Sequence, residues 1–488
     1  MGDPRNHVLI VGSGFSGLGM AVRLKQAGVD FTILEQADEV GGTWRDNHYP
    51  GAACDVPSHL YSFSFERWPG WSRMYGPQRE IFEYMRHCAR KYGLYPHVQL
   101  GAQATSATFD PREGLWKVTT KDGRQFQGRA LVSGTGALSR PAIPELPGLA
   151  SFEGAAFHSA RWDHAYPLEG KRVAVVGTGA SAIQFVPQIA PKVGRLLLFQ
   201  RTPPWILPKP DFAFSERERA LFENVPGLSW AFRQFIWARQ EIGAVPMVIE
   251  PRLGKLIERL ALRFLERQVP DPALRKRLTP SYRIGCKRIL LTNDYYPALS
   301  RPNVDLITEG IERVDATGLH TVDGKHHAVD AILFGTGFQA ADAVCPYPVL
   351  GRDGRSLDAA WQRGAEAYLG TTVSGFPNLY LLMGPNTGLG HNSMIYMIEA
   401  QIEHAYRCIE RVLSRDLSGL DVRPEVQASY NEELQRRLAR TVWASGCRSW
   451  YQNKEGKNVT LWPGFTFEFR LRAERPDFSH YEELRRAG

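Results

Sequence analysis

The stretch HVLIVGSGFSGLGMAVRLKQ, residues 7–26, carries the clearest indication of how this chain folds. Its first part, HVLIVG, is a short apolar run rich in β-branched residues, which is typical of a buried strand. A glycine turn with the spacing GxGxxG follows, made of Gly12, Ser13, Gly14, Phe15, Ser16 and Gly17. Because a helical pattern comes next, this order predicts a Rossmann unit whose helix N-terminus binds a pyrophosphate.

The second strand of this unit ends in an acidic residue. The run FTILE closes with Glu35, which stands 18 residues after Gly17. A carboxylate at this place accepts hydrogen bonds from an adenosine ribose and repels a 2′-phosphate. We therefore expect FAD in the first unit.

The same pattern occurs a second time. The strand KRVAVVG, residues 171–177, leads into a GxGxxA turn made of Gly177, Thr178, Gly179, Ala180, Ser181 and Ala182. The following strand, RLLLFQR, ends in Gln200 and Arg201 instead of an acid. A guanidinium there favours a 2′-phosphate, so we expect NADP(H) in the second unit. Glycines that serve only helix–strand packing are the alternative explanation.

Length, composition and charge agree with a globular protein that binds anionic ligands. The chain has 488 residues, of which 43% are hydrophobic and 23% charged, which suits two or three domains with cores. Its formal net charge of +8 suits dinucleotides, although general surface charge explains it equally well. Only this charge would support nucleic-acid binding, which we do not predict.

Cysteine spacing and hydropathy narrow the class of protein. The six cysteines form no CxxC pair, which argues against a dithiol redox centre, a structural zinc site and a disulfide scaffold. We therefore predict no metal site. The opening MGDPRNHVLIVG lacks a signal-peptide pattern, and no apolar run reaches the ~18 residues of a spanning helix. These features predict a cytoplasmic protein.

Two Rossmann-like domains of an α/β fold account for the order of the segments. We predict an FAD-binding domain whose first part covers 1–140 and closes with the strand ALVSGTG, followed by the proline-rich link RPAIPELPG. The NADP-binding domain is predicted for 141–330. The run DAILFGTGF should then return the chain to the FAD-binding domain, which takes 331–488 and includes a strand in NLYLLMGPN and a helix near 393–413.

A helical insertion of the NADP-binding domain is predicted for about 211–280. In its later part, Leu256, Leu260, Phe264 and Gln268 share one helix face, and Lys255, Arg259, Arg263 and Arg267 share another. A basic face of this kind indicates either an ordinary solvated surface or contact with a membrane surface or an acidic partner. Trp230 and Trp237 are expected in the core, with a place in a substrate cavity as the alternative.

Four segments resemble one enzyme family. The fingerprint FxGxxxHxxxW[P/D] of the Baeyer–Villiger monooxygenases is matched by Phe152, Gly154, His158, Trp162 and Asp163. A second family signature is matched, with every spacing kept, by Gly41, Gly42, Trp44, Tyr49, Pro50, Gly51 and Asp55. The segment Cys286-Lys287-Arg288 followed by NDYYPAL, and CRSWY with Trp450, are similar to two further family segments. Together these similarities extend from residue 7 to about 470.

The resemblance implies a reaction. NADPH would reduce FAD, the reduced flavin would add dioxygen, and the resulting C4a-peroxide would attack a ketone to give an ester or lactone. The implied partners are therefore O2 and a small ketone, or alternatively a thioether. The nearest alternative is an S- or N-oxygenating flavin monooxygenase, and a flavin-binding sensor without turnover is a more distant one. A pyridine nucleotide–disulfide reductase is disfavoured by the missing CxxC.

The resemblance also implies roles for individual residues. Arg288 would stabilise the anionic oxygens of the reaction, because a guanidinium stays charged when buried, and Asp55 would orient it. An ordinary interdomain ion pair is the alternative for these two residues. Lys287, Arg201 and Thr202 would hold the 2′-phosphate. Further cofactor contacts are expected from Thr43, Trp44, Tyr61, Gln184 and Trp450.

The fingerprint segment itself is expected to act as a hinge. A lone histidine between domains is usually a hydrogen-bonded structural residue, so we predict that His158 lies away from the flavin and governs closure of the NADP-binding domain. Trp162 should pack that hinge. One departure from the family is Arg45-Asp46-Asn47, where many members carry aromatic residues close to the flavin.

Overall fold

The computed structural model describes residues 3–339, 345–447 and 449–485. A five-stranded parallel sheet, here called the first sheet, is built around the first glycine turn. Its strands lie in the spatial order Leu379–Leu381, Ala130–Ser133, His7–Val11, Asp30–Leu34 and Val98–Gln99. All of its central strand except His7 is buried, as expected for a strand with helices on both faces of the sheet.

The second glycine turn follows the central strand of another five-stranded parallel sheet, the second sheet. Its strands lie in the order Val304–Ile307, Arg195–Phe199, Arg172–Val176, Ala331–Phe334 and Ala155–His158. The α/β fold with two dinucleotide-binding units is therefore confirmed. Because each turn stands at the carboxyl end of its sheet, each is placed where ligands bind in open α/β folds.

One strand was assigned to the wrong sheet from the sequence. Ala331–Phe334 pairs with the second sheet, where Ala331 lies opposite both Val173 and Ala155, and does not join the first sheet. The first sheet regains the chain only at Leu379–Leu381. The error has a physical reason: ALVSGTG and DAILFGTGF are both apolar runs that end in GTG, and such a run does not encode which sheet it joins.

Helices cover the sheets and form the insertion. The helices of four or more residues are Phe15–Gln26, Thr43–Asp46, Gln78–Lys91, Ala182–Ile189, Glu216–Asn224, Leu228–Val248, Gly254–Gln268, Pro272–Leu278, Tyr295–Leu299, Leu357–Ala360, Met394–Ser414, Pro424–Leu438 and Thr466–Ala473. The four helices between 216 and 278 confirm the helical insertion. Within the described ranges, no helix is long and apolar enough to span a bilayer.

Smaller sheets complete the fold. Four strands form one sheet, Val349–Leu350, Ala104–Asp110, Leu115–Thr120 and Gln125–Gly128, and three form an antiparallel sheet, Ile311–Asp315, Gly318–Thr321 and His326–Ala328. Two-stranded sheets pair Ile206–Leu207 with Leu290–Leu291 and Gly419–Val422 with Tyr481–Leu484. The first of these pairs connects the start of the insertion with its end.

The helix of the first turn packs closely on the long helix Met394–Ser414. Gly19 makes this possible, since a Cβ there would lie 2.7 Å from Cδ1 of Ile402 and 2.9 Å from the Phe63 ring. Leu18, Met20, Ala21 and Val22 are buried around it. The predicted helix near 393–413 is thus present, and Nε2 of its Gln401 donates to the Leu381 carbonyl oxygen of the first sheet at 3.3 Å.

The insertion exposes more apolar surface than the sequence indicated. The helix Gly254–Gln268 buries Gly254, Ala261 and Leu265, whereas Leu256 and Leu260 are 58% and 57% exposed. Trp230 is 53% exposed, so its predicted core position is wrong. Trp237 is half-buried and donates from Nε1 to Thr466 Oγ1 at 3.0 Å. Neither tryptophan lines the central cavity described below.

Candidate active site

A cavity of about 1150 Å³ lies between the two sheets. Most of the predicted site residues line it: Thr43, Trp44, Asp55, Tyr61, Gly177, Thr178, Gly179, Ala180, Ser181, Gln184, Arg201, Thr202, Lys287, Arg288 and Trp450. The first turn (Gly12, Ser13, Gly14, Phe15, Ser16, Gly17), Glu35 and the fingerprint residues lie outside this lining. The second turn and the Arg288 segment therefore line one common cavity, whereas the first turn and the fingerprint segment lie outside its lining.

The three glycines of the first turn differ in what surrounds them. Gly12 has φ +97°, and a Cβ there would lie 2.7 Å from the Gly134 carbonyl oxygen. A Cβ on Gly17 would lie 1.8 Å from the Gly12 carbonyl oxygen. At Gly14, by contrast, the nearest atom is 4.0 Å away. Gly12 and Gly17 are thus needed by the protein backbone, whereas Gly14 leaves a space that a phosphate can approach.

Glu35 is held rigidly beside this turn. The buried carboxylate accepts hydrogen bonds from Ser13 N at 3.0 Å, Ser13 Oγ at 2.6 Å and Ala37 N at 3.0 Å. Arg45 Nη1 lies 3.1 Å from its Oε1. This role of Arg45 could not be predicted, because its position 10 residues later is fixed by the helix Thr43–Asp46 and not by the strand. The pair fixes the acid at the strand end expected for ribose binding.

The second turn repeats the geometry of the first. Gly177 has φ +104°, and a Cβ there would lie 2.6 Å from the Gly335 carbonyl oxygen. At Gly179 the nearest atom, Gly335 O, is 3.8 Å away. The middle glycine again faces open space at the N-terminus of a helix, here Ala182–Ile189. The fit of a dinucleotide phosphate to both turns therefore rests on space that a side chain would fill.

Two cations flank the second turn. Burial lowers the pKa of Lys287, and the nearby charge of Arg201 lowers it further. Neither residue forms an ion pair with a carboxylate of the described ranges. Thr202 adjoins them, and its carbonyl oxygen accepts from Thr178 Oγ1 at 3.2 Å. Gln200 also lines the cavity, and its Nε2 donates to the Arg277 carbonyl oxygen at 2.9 Å. Two neighbouring cations of this kind form an anion site.

The guanidinium of Arg288 extends along the cavity wall toward the first domain, which is the part of the chain built on the first sheet; the second domain is the part built on the second sheet. Its Nε and Nη2 donate to Asp55 Oδ2 at 2.8 and 2.6 Å, and its Nη1 to the Leu389 carbonyl oxygen at 3.4 Å. The negative charge of Asp55 is the main cause that raises the pKa of Arg288, so the guanidinium stays charged. Both side chains are about 30% accessible. Three of five N–H groups are used here, which leaves two for a ligand.

Aromatic side chains connect the first turn with the cavity. Trp44 Nε1 donates to the Tyr61 hydroxyl at 3.1 Å, and the two rings meet edge to face at 5.6 Å. Tyr61 also meets the Phe15 ring edge to face at 5.3 Å. Burial raises the pKa of Tyr61, so its hydroxyl stays protonated. This chain of contacts provides an apolar wall between the phosphate turn and the cavity.

Gln184 holds the two domains together. Its Oε1 accepts from the Tyr49 hydroxyl at 2.8 Å, and its Nε2 donates to the Ala53 carbonyl oxygen at 2.9 Å. Gly51, with φ +79°, allows the contact, because a Cβ there would lie 2.7 Å from the Gln184 carbonyl oxygen. The sequence predicted only a cofactor contact for Gln184. In the structure it lines the cavity and also fixes the first-domain segment 49–53 against the second domain.

The fingerprint segment forms the edge of the second sheet. His158 ends the strand Ala155–His158, and its buried Nδ1 accepts from Ala160 N at 3.1 Å. Burial lowers its pKa, so the imidazole is neutral near pH 7. Its ring lies 5.5 Å from that of Phe338, in the segment that leaves the second sheet. His158 therefore lies at a place where the chain passes between domains, as predicted. Its control of the closure of the NADP-binding domain stays a prediction.

The remaining fingerprint residues have structural contacts. Trp162 packs against Phe185 with ring centroids 5.3 Å apart, inside the core of the second domain. A Cβ on Gly154 would lie 2.5 Å from both the Asp330 carbonyl oxygen and the Phe152 ring. Asp163 accepts from Ala165 N at 2.9 Å and starts a turn. These contacts explain the glycine and the aromatic residues by packing of the sheet edge.

A disulfide joins two segments of the cavity wall. Cys286 and Cys447 are bonded, with Cα atoms 6.2 Å apart and 161 residues between them in sequence. The expectation of no disulfide framework did not foresee this bond. The bond could not be predicted from the sequence, because two cysteines this far apart form no recognisable spacing motif. The cysteines at 54, 88, 345 and 408 are free and buried.

A buried polar network behind the cavity was also missed. Asn392, which lines the cavity, donates from Nδ2 to Glu241 Oε1 at 2.5 Å. Thr466 donates to the same carboxylate from N at 2.9 Å and from Oγ1 at 2.8 Å. Burial lowers the pKa of the adjacent His391 to about 4, so this imidazole is neutral. A lone glutamate in the apolar helix Leu228–Val248 was the available signal.

One group of potential metal ligands occurs within the described ranges. Asp315, His320 and His326 bring their ligand atoms within 4.8 Å of one another on the three-stranded sheet. The His320 Nε2 lies 2.5 Å from Asp315 Oδ2, and Arg313 Nη2 lies 3.3 Å from His320 Nδ1. The group is not part of the cavity lining. A guanidinium this close opposes a second cation.

Comparisons with known proteins decide the family. Residues 5–211 match the family described as Flavin-binding monooxygenase-like. A Baeyer–Villiger monooxygenase of Pseudomonas aeruginosa is 52% identical over 97% of this chain and 90% of its own length. The chain belongs to the Baeyer–Villiger monooxygenases. A second member, from Streptomyces coelicolor, is 47% identical to this monooxygenase over 98% of the chain and 93% of its own length.

Solved structures agree with this assignment. The monooxygenase superposes on the closed crystal structure of cyclohexanone monooxygenase with a TM-score of 0.88 and 27% identity, covering 98% and 99% of the two chains. An oxidised steroid monooxygenase bound to NADP gives 0.87 and 29%, with the same coverage. The family, the fold class and the class of reaction predicted from the sequence are therefore confirmed.

Proposed function

We propose that this monooxygenase uses NADPH and O2 to insert one oxygen atom beside a ketone carbonyl, which yields an ester or lactone. The observation that carries the proposal is the charged Arg288 guanidinium, which faces a cavity of about 1150 Å³ and retains two N–H groups for a ligand. Bound FAD supplies the redox and oxygen chemistry. The residues of the chain bind and orient the cofactors and the substrate, and they exclude water from the site.

The first turn is proposed to hold FAD. Gly14 offers the open approach to the helix N-terminus, and the fixed Glu35 carboxylate suits the ribose hydroxyls. The Trp44–Tyr61 pair extends from this turn to the cavity, where it provides an apolar surface for a flat ring system. These contacts support one binding site for both the pyrophosphate end and the ring end of the dinucleotide.

The second turn is proposed to hold NADPH. Gly179 provides the same open approach, and the cations of Arg201 and Lys287 stand where a 2′-phosphate is expected. Binding of a phosphate would raise the pKa of Lys287, because the anion attracts the ammonium and offsets the repulsion from Arg201. Trp450, which is 46% exposed and lines the cavity, is proposed to contact the nicotinamide end.

Arg288 is proposed as the catalytic residue and Asp55 as its positioning partner. Two hydrogen bonds to one carboxylate oxygen fix the plane of the guanidinium. The orientation of its two unused N–H groups is fixed as a result. Such preorganised donors stabilise a developing oxyanion more than a mobile cation does. Asp55 also lowers the net charge of the pair, which limits the cost of keeping a guanidinium in the cavity.

Oxygenation of sulfur or nitrogen is the second candidate function. The family description that matches residues 5–211 covers flavin-binding monooxygenases in general and does not specify ketones. The Arg288–Asp55 pair favours the ketone reaction, because a fixed cation stabilises an anionic oxygen nucleophile. An electrophilic oxygen donor, which a thioether requires, gains less from that cation.

A substrate panel tests the proposal. The purified holoenzyme is supplied with NADPH and with cyclic, linear and aryl ketones and one thioether, and products are identified by mass spectrometry. We expect ester or lactone from at least one ketone class, with one atom of labelled O2 in the product. Sulfoxide from the thioether with no ester from any ketone would overturn the ketone assignment in favour of the second candidate.

We also propose that the enzyme acts in the cytoplasm, with contact to a membrane surface as a hypothesis to test. Phe235 and Ile242, one heptad apart on one helix, are 63% and 72% exposed, and the next helix combines exposed Leu256 with Arg259. Apolar and basic side chains together suit an anionic lipid surface. Co-sedimentation with anionic but not zwitterionic vesicles is the expected sign of such contact.

A further inference from the structure

The disulfide between Cys286 and Cys447 joins the two segments that carry the cavity's charged and aromatic residues. Lys287 and Arg288 directly follow Cys286, and Trp450 comes three residues after Cys447. All three of these side chains line the cavity. The bond therefore fixes the distance between the wall that bears the cations and the wall that bears the tryptophan.

The Cys286 side of the bond is well anchored without it. Arg288 is tied to Asp55, and Leu290 N donates to the Trp205 carbonyl oxygen at 2.9 Å. Cys286 itself is 1% exposed. Gly285, with φ +85°, lies against Val442 and Met247, where a Cβ would approach to 3.3 and 3.5 Å. Loss of the disulfide would leave this segment in place.

The Cys447 side has few other attachments. The buried Trp443 and Tyr451 bracket it, but positions 444–446 are exposed and a Cβ on Gly446 would meet nothing within 4 Å. The backbone hydrogen bonds described there reach only close neighbours, as from Ser445 N to the Val442 carbonyl oxygen. Trp443 and Tyr451 belong to one hydrophobic core cluster, and the Tyr451 carbonyl oxygen accepts from Val459 N at 3.1 Å. Between these two buried anchors, and within the described ranges, the disulfide is the attachment of Cys447 to a segment distant in sequence. A loop that is held in this way gains mobility between its anchors when the attachment opens.

We propose that the Cys286–Cys447 disulfide is a reversible clip that positions the Trp450 segment against Lys287 and Arg288, and so sets the affinity for NADP(H). The inference rests on the proposed NADPH site. Closed, the clip keeps Trp450 on the nicotinamide side of the cavity. Open, it leaves the phosphate-binding cations in place but lets Cys447 and Trp450 shift between the buried Trp443 and Tyr451, so dinucleotide binding weakens while the Arg288–Asp55 pair persists.

The disulfide can be formed and opened by ordinary cellular oxidants and reductants. Closure takes two thiols and one hydrogen peroxide to one disulfide and two waters, so the cysteines are oxidised by two electrons and the peroxide is reduced. Opening by a dithiol transfers two electrons and two protons back to the sulfurs and leaves the dithiol as its own disulfide. Cys447 is only partly buried, so attack is expected at its sulfur. A reducing cytoplasm would favour the open state.

Thiol counting gives the first test. Denatured holoenzyme that has been treated with hydrogen peroxide should show four alkylated cysteines, and the same sample after dithiothreitol should show six. Peptide mass spectrometry should identify Cys286 and Cys447 as the linked pair. Six thiols after peroxide treatment, or a different linked pair, would overturn the proposal whatever reaction the enzyme catalyses.

Binding gives the second test. We expect dithiothreitol to weaken NADP+ binding to the wild-type holoenzyme about fivefold, as measured by calorimetry. The reductant should also change the fluorescence of Trp450. In steady-state kinetics it should raise KM for NADPH more than it lowers kcat. Cys447→Ser should bind weakly with or without reductant. Cys408→Ala, which removes a free buried cysteine, should keep the wild-type response.

The two failures are distinguishable. Equal NADP+ affinity of the clipped and reduced wild-type enzyme, with the thiol count confirming both states, would overturn the clip even if ketone oxidation is normal. If no ketone is oxidised but NADP+ affinity still follows the thiol count, the clip stands and the proposed substrate fails. Cys286→Ser repeats the test in case Cys447→Ser does not fold.

Discussion

The two glycine turns share one backbone geometry and differ in charge. In both, the first glycine has a strongly positive φ and faces a carbonyl oxygen, and the middle glycine faces open space. Beside the first turn, Glu35 is buried and held by three donors. Beside the second turn, Arg201 is exposed and stands near Lys287 without a carboxylate partner among the described residues. The backbone therefore provides phosphate binding in both places, and the side chain at the strand end selects the dinucleotide.

The surroundings of the two turns also differ. Contacts among Phe15, Tyr61 and Trp44 separate the first turn from the cavity, whereas the second turn lines the cavity directly. A permanently bound cofactor suits the enclosed turn, and a cofactor that enters and leaves suits the open one. Substitutions that affect one turn and spare the other test this contrast.

The largest effect is expected at Arg288, where the two regions meet. Arg288→Ala should lower ester formation by about 10²–10³-fold, because it removes preorganised donors for an oxyanion. Flavin reduction by NADPH, measured by stopped-flow absorbance, should stay near the wild-type rate. Arg288→Lys serves as the matched control and should recover only part of the loss, since an ammonium lacks the planar pair of donors. Normal ester yield from Arg288→Ala would remove its catalytic role.

The middle glycines come next. Gly14→Ala should reduce FAD affinity about tenfold or more, which is at least ~1.4 kcal/mol, because the methyl group fills the phosphate approach. Gly179→Ala should keep FAD and weaken NADPH binding to a similar extent. Flavin content and NADP+ titration measure the two effects separately. Since neither Cβ meets a protein atom closer than 3.8 Å, both apoproteins should melt near the wild-type temperature. Identical losses of both cofactors in either variant would contradict the contrast.

A smaller effect is expected from the charges. Arg201→Ala should lower the preference for NADPH over NADH about tenfold, as expected for one charged hydrogen bond of about 1.5 kcal/mol. Glu35→Gln should leave that preference unchanged, since Glu35 lies beside the first turn. The ratio of kcat/KM for the two nicotinamide cofactors is the measurement. A wild-type enzyme that uses both equally would refute the assignment of the second site.

The smallest effect is expected at the contact between domains. Tyr49→Phe removes the hydrogen bond to Gln184 Oε1 and should destabilise the docked arrangement by about 1 kcal/mol. We expect KM for NADPH to rise about fivefold while flavin content stays constant. Tyr166→Phe, which removes a hydrogen bond within the second domain to Asp330, is the control and should leave KM unchanged. An altered flavin content would show that Tyr49 supports the first domain instead.

Much of the fold could be read from local patterns. Each strand–turn–helix unit is encoded within about 30 consecutive residues, so the periodicity and glycines of 7–35 and 171–201 sufficed to predict both units. The acid at Glu35 and the base at Arg201 are equally local. The sheet that Ala331–Phe334 joins was predicted wrongly, because an apolar run that ends in GTG has no feature that distinguishes one parallel sheet from another.

Local sequence specifies which chemical groups are present: two phosphate turns, one acid, and a cationic segment at Lys287 and Arg288. Tertiary structure alone decided which of these groups meet. It brought Asp55 within 2.8 Å of Arg288 across 233 residues, and bonded Cys286 to Cys447 across 161. Long-range contacts arise from the packing of whole domains, which no local pattern encodes, whereas turns depend on backbone sterics that a few residues fix.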